Sequence, residues 1–68
     1  MKINEAIVYI LASCRRGMAA GQLADVINAE RLHVRRDGNP VSCSHVYAAV
    51  CRSPEVFTKE GGLIRLLM

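Results

Sequence analysis

Pro54-Glu55-Val56-Phe57-Thr58-Lys59-Glu60-Gly61-Gly62-Leu63-Ile64-Arg65-Leu66-Leu67-Met68 closes the chain. Proline stops whatever helix precedes it. Two short strand-like runs, 56–59 and 63–67, then flank a Gly-Gly pair. Paired glycines accept the positive φ angles of a tight primed turn, so this segment predicts a β-hairpin. If Gly61 and Gly62 form a two-residue loop, Phe57 falls opposite Leu66 and Lys59 opposite Ile64. Phe57 then stands on a face able to close a small core, since the pairing register decides which side chains point inward.

Upstream of the hairpin the apolar period changes from two to 3.6. Ile3, Ala6, Ile7, Ile10, Leu11 and Cys14 recur at helical spacing, which predicts a first helix from residue 3 to about 15. Arg15-Arg16-Gly17 reads as its stop, with glycine available for the left-handed cap. Met18-Ala19 suits a very short strand or a bridge, and Met18 and Met68 read as gap-fillers or frayed ends. A second helix from about Gly21 to Arg31 would bury Leu23, Val26 and Ile27. Asp37-Gly38-Asn39-Pro40 is a turn cluster within the connection that follows. Ser42 suits the N-cap of a third helix over about 43 to 52, with Cys43, Val46, Tyr47 and Val50 inward and Ala49 beside them. Three helices followed by a hairpin predict a mainly α winged helix-turn-helix with a C-terminal wing, formed by residues 1–68 as one domain.

At 68 residues the core must be small and aliphatic, since half of the chain is apolar but only two tyrosines and one phenylalanine are present. No apolar run approaches the ~20 residues of a membrane-spanning helix. No signal-peptide pattern follows Lys2, so the expected compartment is the bacterial cytoplasm or the nucleus. Met1 just before the first helix is compatible with a complete small protein.

The net charge of +3 is placed unevenly. Between residues 31 and 52 stand Arg31, Arg35, Arg36 and Arg52 against Asp37 alone. Elsewhere Lys2, Arg15, Arg16, Lys59 and Arg65 balance Glu5, Asp25, Glu30, Glu55 and Glu60. The excess therefore lies in the link into the third helix and in that helix, which points to a polyanion partner, or else to solvated loop arginines. On the outward face of the third helix, Ser44, His45, Ala48 and Arg52 include no acid, with Tyr47 and Cys51 at the margins. These groups are compatible with a nucleic-acid groove. Tyr47 either roofs the core or reaches a phosphate, and His33 reads as a solvated side chain.

Three cysteines, Cys14, Cys43 and Cys51, have neither the even count of a disulfide scaffold nor the spacing of a zinc site. They read as reduced small hydrophobes, Cys14 and Cys43 facing the core. No cofactor or metal is expected. Paired carboxylates, a nucleophile–base–orienter set and a phosphate loop are all absent from the sequence, and a Cys51–His45 neighbourhood has no orienting third group, so the chain does not read as an enzyme.

The order helix, glycine break, helix, Asn39-Pro40-Val41-Ser42-Cys43-Ser44, then Val46-Tyr47-Ala48-Ala49-Val50, Pro54-Glu55-Val56-Phe57-Thr58-Lys59 and Gly62-Leu63-Ile64-Arg65-Leu66 resembles the HARE-HTH domain over nearly the whole chain. That family is a winged helix-turn-helix module of chromatin proteins, restriction endonucleases and the delta subunit of bacterial RNA polymerase. The resemblance implies DNA binding or tethering inside larger nucleic-acid machines, including those that regulate transcription. The wing departs from a strongly basic one, because Glu60 offsets Lys59.

Two functions follow as expectations. One is binding of double-stranded DNA, with helix 43–52 in the major groove, Ser44, His45, Tyr47, Ala48 and Arg52 facing it, and Arg31, Arg35, Arg36 and Lys59 available to phosphates. The other is protein docking by the same fold, to a partner within a transcription, chromatin or restriction complex or to a second copy. Small net charge, Glu60 at the wing tip and the apolar Val8, Leu63, Leu67 and Met68 favour this alternative.

Overall fold

The computed structural model describes residues 2–67, in the order α1 (Ile3–Cys14), α2 (Ala20–Glu30), α3 (Cys43–Arg52), β1 (Phe57–Glu60) and β2 (Leu63–Leu66). Met68 lies outside the described residues. The three helices and the C-terminal antiparallel hairpin have a winged-helix layout. The strands pair Phe57 with Leu66, Thr58 with Arg65, Lys59 with Ile64 and Glu60 with Leu63, the register set by a Gly61-Gly62 turn. Both glycines have positive φ, 55° and 82°, as a primed two-residue turn requires. Met18 adds an isolated bridge to Ile64, exchanging hydrogen bonds of 3.0 and 2.8 Å, so the hairpin gains a one-residue third strand.

Ile7, Ile10 and Leu11 of α1, Leu23 and Ile27 of α2, Val46, Ala49 and Val50 of α3, and Phe57 and Ile64 of the hairpin form one core. β1 packs toward α3 and β2 toward α1, so the hairpin closes the open side of the helical cluster with a different helix at each strand. Met18 is buried in that core as a filler, not at a frayed end. Val8 and Leu63 are half-buried, whereas Leu67 stays 51% exposed.

Several boundaries and orientations differ from the sequence expectation. α1 stops at Cys14, and the left-handed residue is Arg15 (φ 55°), not Gly17. Its N–H donates to Leu11 O, a left-handed cap that closes the helix one turn back. α2 ends the same way at Arg31 (φ 52°), whose N–H donates to Asn28 O while Leu32 N–H donates to Ile27 O. α2 also begins one residue early, with Gln22 accepting from the Ala19 N–H at 3.2 Å, and it buries Ala20 and Ala24 while leaving Val26 half-buried. Cys14 and Cys43 are exposed, as is Cys51. Each of the first two sits at a helix end, beyond the stretch where neighbouring helices cover the apolar stripe. Tyr47 likewise does not join the buried stripe of α3 but is 40% exposed; Val46, Ala49 and Val50 carry it.

Candidate nucleic-acid interface

Ser42 caps α3 as the sequence predicts, its Oγ accepting from His45 N–H at 3.3 Å. This fixes the direction in which the helix leaves the link. The second fixing element was not legible in sequence. The Asn28 side chain donates to Val41 O at 2.9 Å and accepts from Val41 N–H at 2.8 Å. α2 thereby holds the buried residue that leads the chain into α3. A polar residue at helical spacing beside a buried Ile27 was the available signal, but its partner lies thirteen residues away.

Between these anchors the link folds back over the first turn of α3. His33, Arg35, Arg36, Asp37 and His45 line one open depression of about 410 Å3. Arg35 and Arg36 are thus brought to the N-terminal end of α3, where helix N–H groups add partial positive charge. The two arginines differ in availability. Arg35 is half-buried and engaged: its Nη2 pairs with Asp37 Oδ2 at 3.1 Å and its Nη1 donates to Pro40 O at 3.5 Å. The other oxygen of Asp37 accepts from Asn39 N–H at 3.0 Å, and Gly38 N–H closes the turn on Arg35 O at 3.0 Å. The hydrogen bond from the Asn39 backbone holds the Asp37 carboxyl below its ordinary range, with the Arg35 charge adding to it. Arg36, exposed in the same turn, makes no hydrogen bond or ion pair with the other described residues.

The outward face of α3 exposes Ser44 and Ala48, with His45 half-buried at its edge. Arg52 is exposed but borders a separate depression with Ile3, Asn4 and Ser53, toward the start of α1. Arg31 caps α2 and does not line the depression around His45. Lys59 folds from the wing onto α3: its Nζ stands 5.2 Å from the centroid of the Tyr47 ring and 3.9 Å from Cys51 Sγ. An ammonium over a tyrosine face is weakly attracted to it, so Lys59 and Tyr47 act as one unit on the wing side of α3. Val34, 70% exposed between His33 and Arg35, is an apolar tip that the sequence analysis did not single out.

The layout is that of a small winged helix with an acid-free outer face on its third helix. No protein-family model matches the chain, and no curated protein or solved structure is significantly similar to it. No helix among the described residues is long and apolar enough to cross a membrane.

Proposed function

We propose that this chain is a double-stranded-DNA-binding winged-helix module of the HARE-HTH kind, with α3 as its recognition helix. The observation that carries this is the depression where Arg35 and Arg36 meet His45 at the start of α3, beside a helix face that exposes Ser44, Ala48 and Arg52 without an acid. Arg36 and Arg31 supply phosphate contacts. Arg35 chiefly shapes the turn that presents Arg36, because Asp37 already engages it. Lys59 and Tyr47 form the wing-side contact as a pair. Ser44 and His45 read base edges, and positioning and reading are thereby divided between link and helix.

The test is fluorescence anisotropy on duplex DNA at low and moderate salt. Wild type binds in the ~micromolar range or weaker, with affinity falling by about one unit of log–log slope per neutralised phosphate. Arg36→Ala lowers affinity on every sequence and flattens the slope by roughly one unit, whereas Ser44→Ala and His45→Ala change sequence preference. Absence of binding even at low salt, or indifference to Arg36, transfers the proposal to protein docking. That second function has its own support in the exposed Val34 and Leu67, the first of them set among the link arginines.

A further inference from the structure

Five cations and five acids outside the 31–52 segment balance in the sequence, yet the fold does not mix them. Arg15 and Arg16 follow α1, and Arg65 stands on β2, fifty residues away in the chain. Together with Leu11, Gly17 and Leu66 they line one depression of about 300 Å3, and no acidic residue lines it. We propose that this Arg15–Arg16–Arg65 cleft binds a phosphate group, at a site separate from the outward face of α3.

Three observations carry the assignment. All three arginines are exposed, and none makes a hydrogen bond or ion pair through its side chain among the described residues. Gathering three guanidinium groups without a counter-charge costs repulsion that an oxyanion relieves, and the planar forks of arginine match phosphate oxygens in pairs. Secondly, the Arg65 stem is seated. A Cβ on Gly17 would lie 2.8 Å from Arg65 Cγ and 3.1 Å from Arg65 Nε, so the absent side chain of Gly17 is the space that Arg65 crosses. Thirdly, Arg15 occupies the left-handed cap at φ 55°, a conformation that favours glycine. Arg31 ends α2 in the same way, but only at Arg15 does the cap set the arginine among the residues that line this cleft.

A cation at the end of α1 also suits the helix dipole, but that needs no contribution from β2. Three positive charges exceed what one carboxylate would neutralise and fit a phosphate group carrying up to two negative charges. The cleft opens beside β2 and α1, while β1 borders α3. One duplex lying along α3 is therefore not the ligand implied by this placement. A free phosphate compound and a second nucleic-acid segment both supply such a group, and the same experiment separates them.

The experiment is a titration of the full chain with sodium pyrophosphate, followed by amide and arginine side-chain NMR shifts, with sodium chloride at matched ionic strength as control. Saturable shifts at Arg15, Arg16, Gly17 and Arg65, absent with chloride, are expected. Arg15→Gly suits the cap, so its melting temperature should hold or rise, while pyrophosphate affinity falls by about tenfold, the scale of one charge-assisted hydrogen bond. Arg65→Gln gives the same loss from the β2 side of the cleft. A short duplex that shifts these residues, with the loss repeated in Arg15→Gly, identifies a nucleic-acid phosphate as the source. A duplex that shifts only α3 and the link leaves a free phosphate compound as the source. Shifts that chloride reproduces, pyrophosphate binding that survives both variants, or tighter binding of a glutamate-rich peptide than of pyrophosphate would each overturn the assignment. Since the α3 signals are read separately, failure here and failure of the DNA-binding proposal are distinguishable.

Discussion

The Asn28 carboxamide pairs with the backbone of Val41 through both of its groups, at 2.9 and 2.8 Å, and so clamps the link before α3 onto α2. Val41 itself is buried. Its N–H and C=O have no ladder partner, so the side chain takes the role a neighbouring strand would have. Asn28→Ala leaves both groups without it and should destabilise the fold by about 2–3 kcal/mol. Asn28→Asp keeps the acceptor but turns a second oxygen toward Val41 O, and should be nearly as harmful. Urea denaturation of the three proteins checks both; equal midpoints would show that the clamp is not needed.

Phe57 is the single aromatic ring among the described core residues and, with Ile64 on the other strand, fastens the hairpin to the helices. Phe57→Ala should cost about 3–5 kcal/mol, a large share of the stability of so small a domain. Loss of cooperative thermal unfolding by circular dichroism is the expected outcome.

Gly17 should tolerate no Cβ without movement of the hairpin. Leu63 Cβ lies 3.1 Å from where one would stand, and Arg65 Cγ closer still. Gly17→Ala should cost about 1–3 kcal/mol through overpacking and should perturb the Met18–Ile64 bridge next to it. Hydrogen exchange at the Met18 and Ile64 amides reports this directly, and unchanged protection there would refute it.

Asp37 restrains Arg35, so Asp37→Asn should strengthen binding to random duplex DNA and steepen its salt dependence by about one unit. The asparagine oxygen can still accept from Asn39 N–H, which preserves the turn. Because the folded-state carboxyl titrates below its ordinary value, its contribution to folding is complete above the unfolded value of about 3.9. That contribution is lost as pH falls through the lower folded value. Neutral and mildly acidic assays therefore see Asp37 fully ionised. Weaker DNA binding by the variant would show that the turn, rather than the charge on Arg35, limits the interface.

All three cysteines are exposed, so the folded protein should react with three equivalents of a thiol reagent without first unfolding. Cys51 alkylation should also disturb the Lys59–Tyr47 pair, since Lys59 Nζ lies 3.9 Å from its sulfur. Native thiol titration, with tyrosine fluorescence followed alongside, tests both statements. Protection of Cys14 or Cys43 would restore the core-facing expectation.

Local chemistry determined the elements. Period 3.6 in Ile3–Leu11 and in Val46–Val50, the Ser42 cap, the Pro54 stop and the Gly61-Gly62 turn each act within a few residues. They yielded three helices, the wing and the Phe57–Leu66 register from sequence alone. Tertiary structure decided what depends on distant partners. Cys14 and Cys43 fit the helical period, but no neighbour covers the helix ends where they sit. Tyr47 leaves the core stripe and faces Lys59 of the wing. Gly17 serves the passage of Arg65 rather than a helix cap, which Arg15 provides instead. Net charge along the chain showed one basic segment; folding engages Arg35 with Asp37 there and assembles a second basic cleft from Arg15, Arg16 and Arg65. Charge is additive along a sequence, but its field depends on which residues the packing of α1 against β2 brings together.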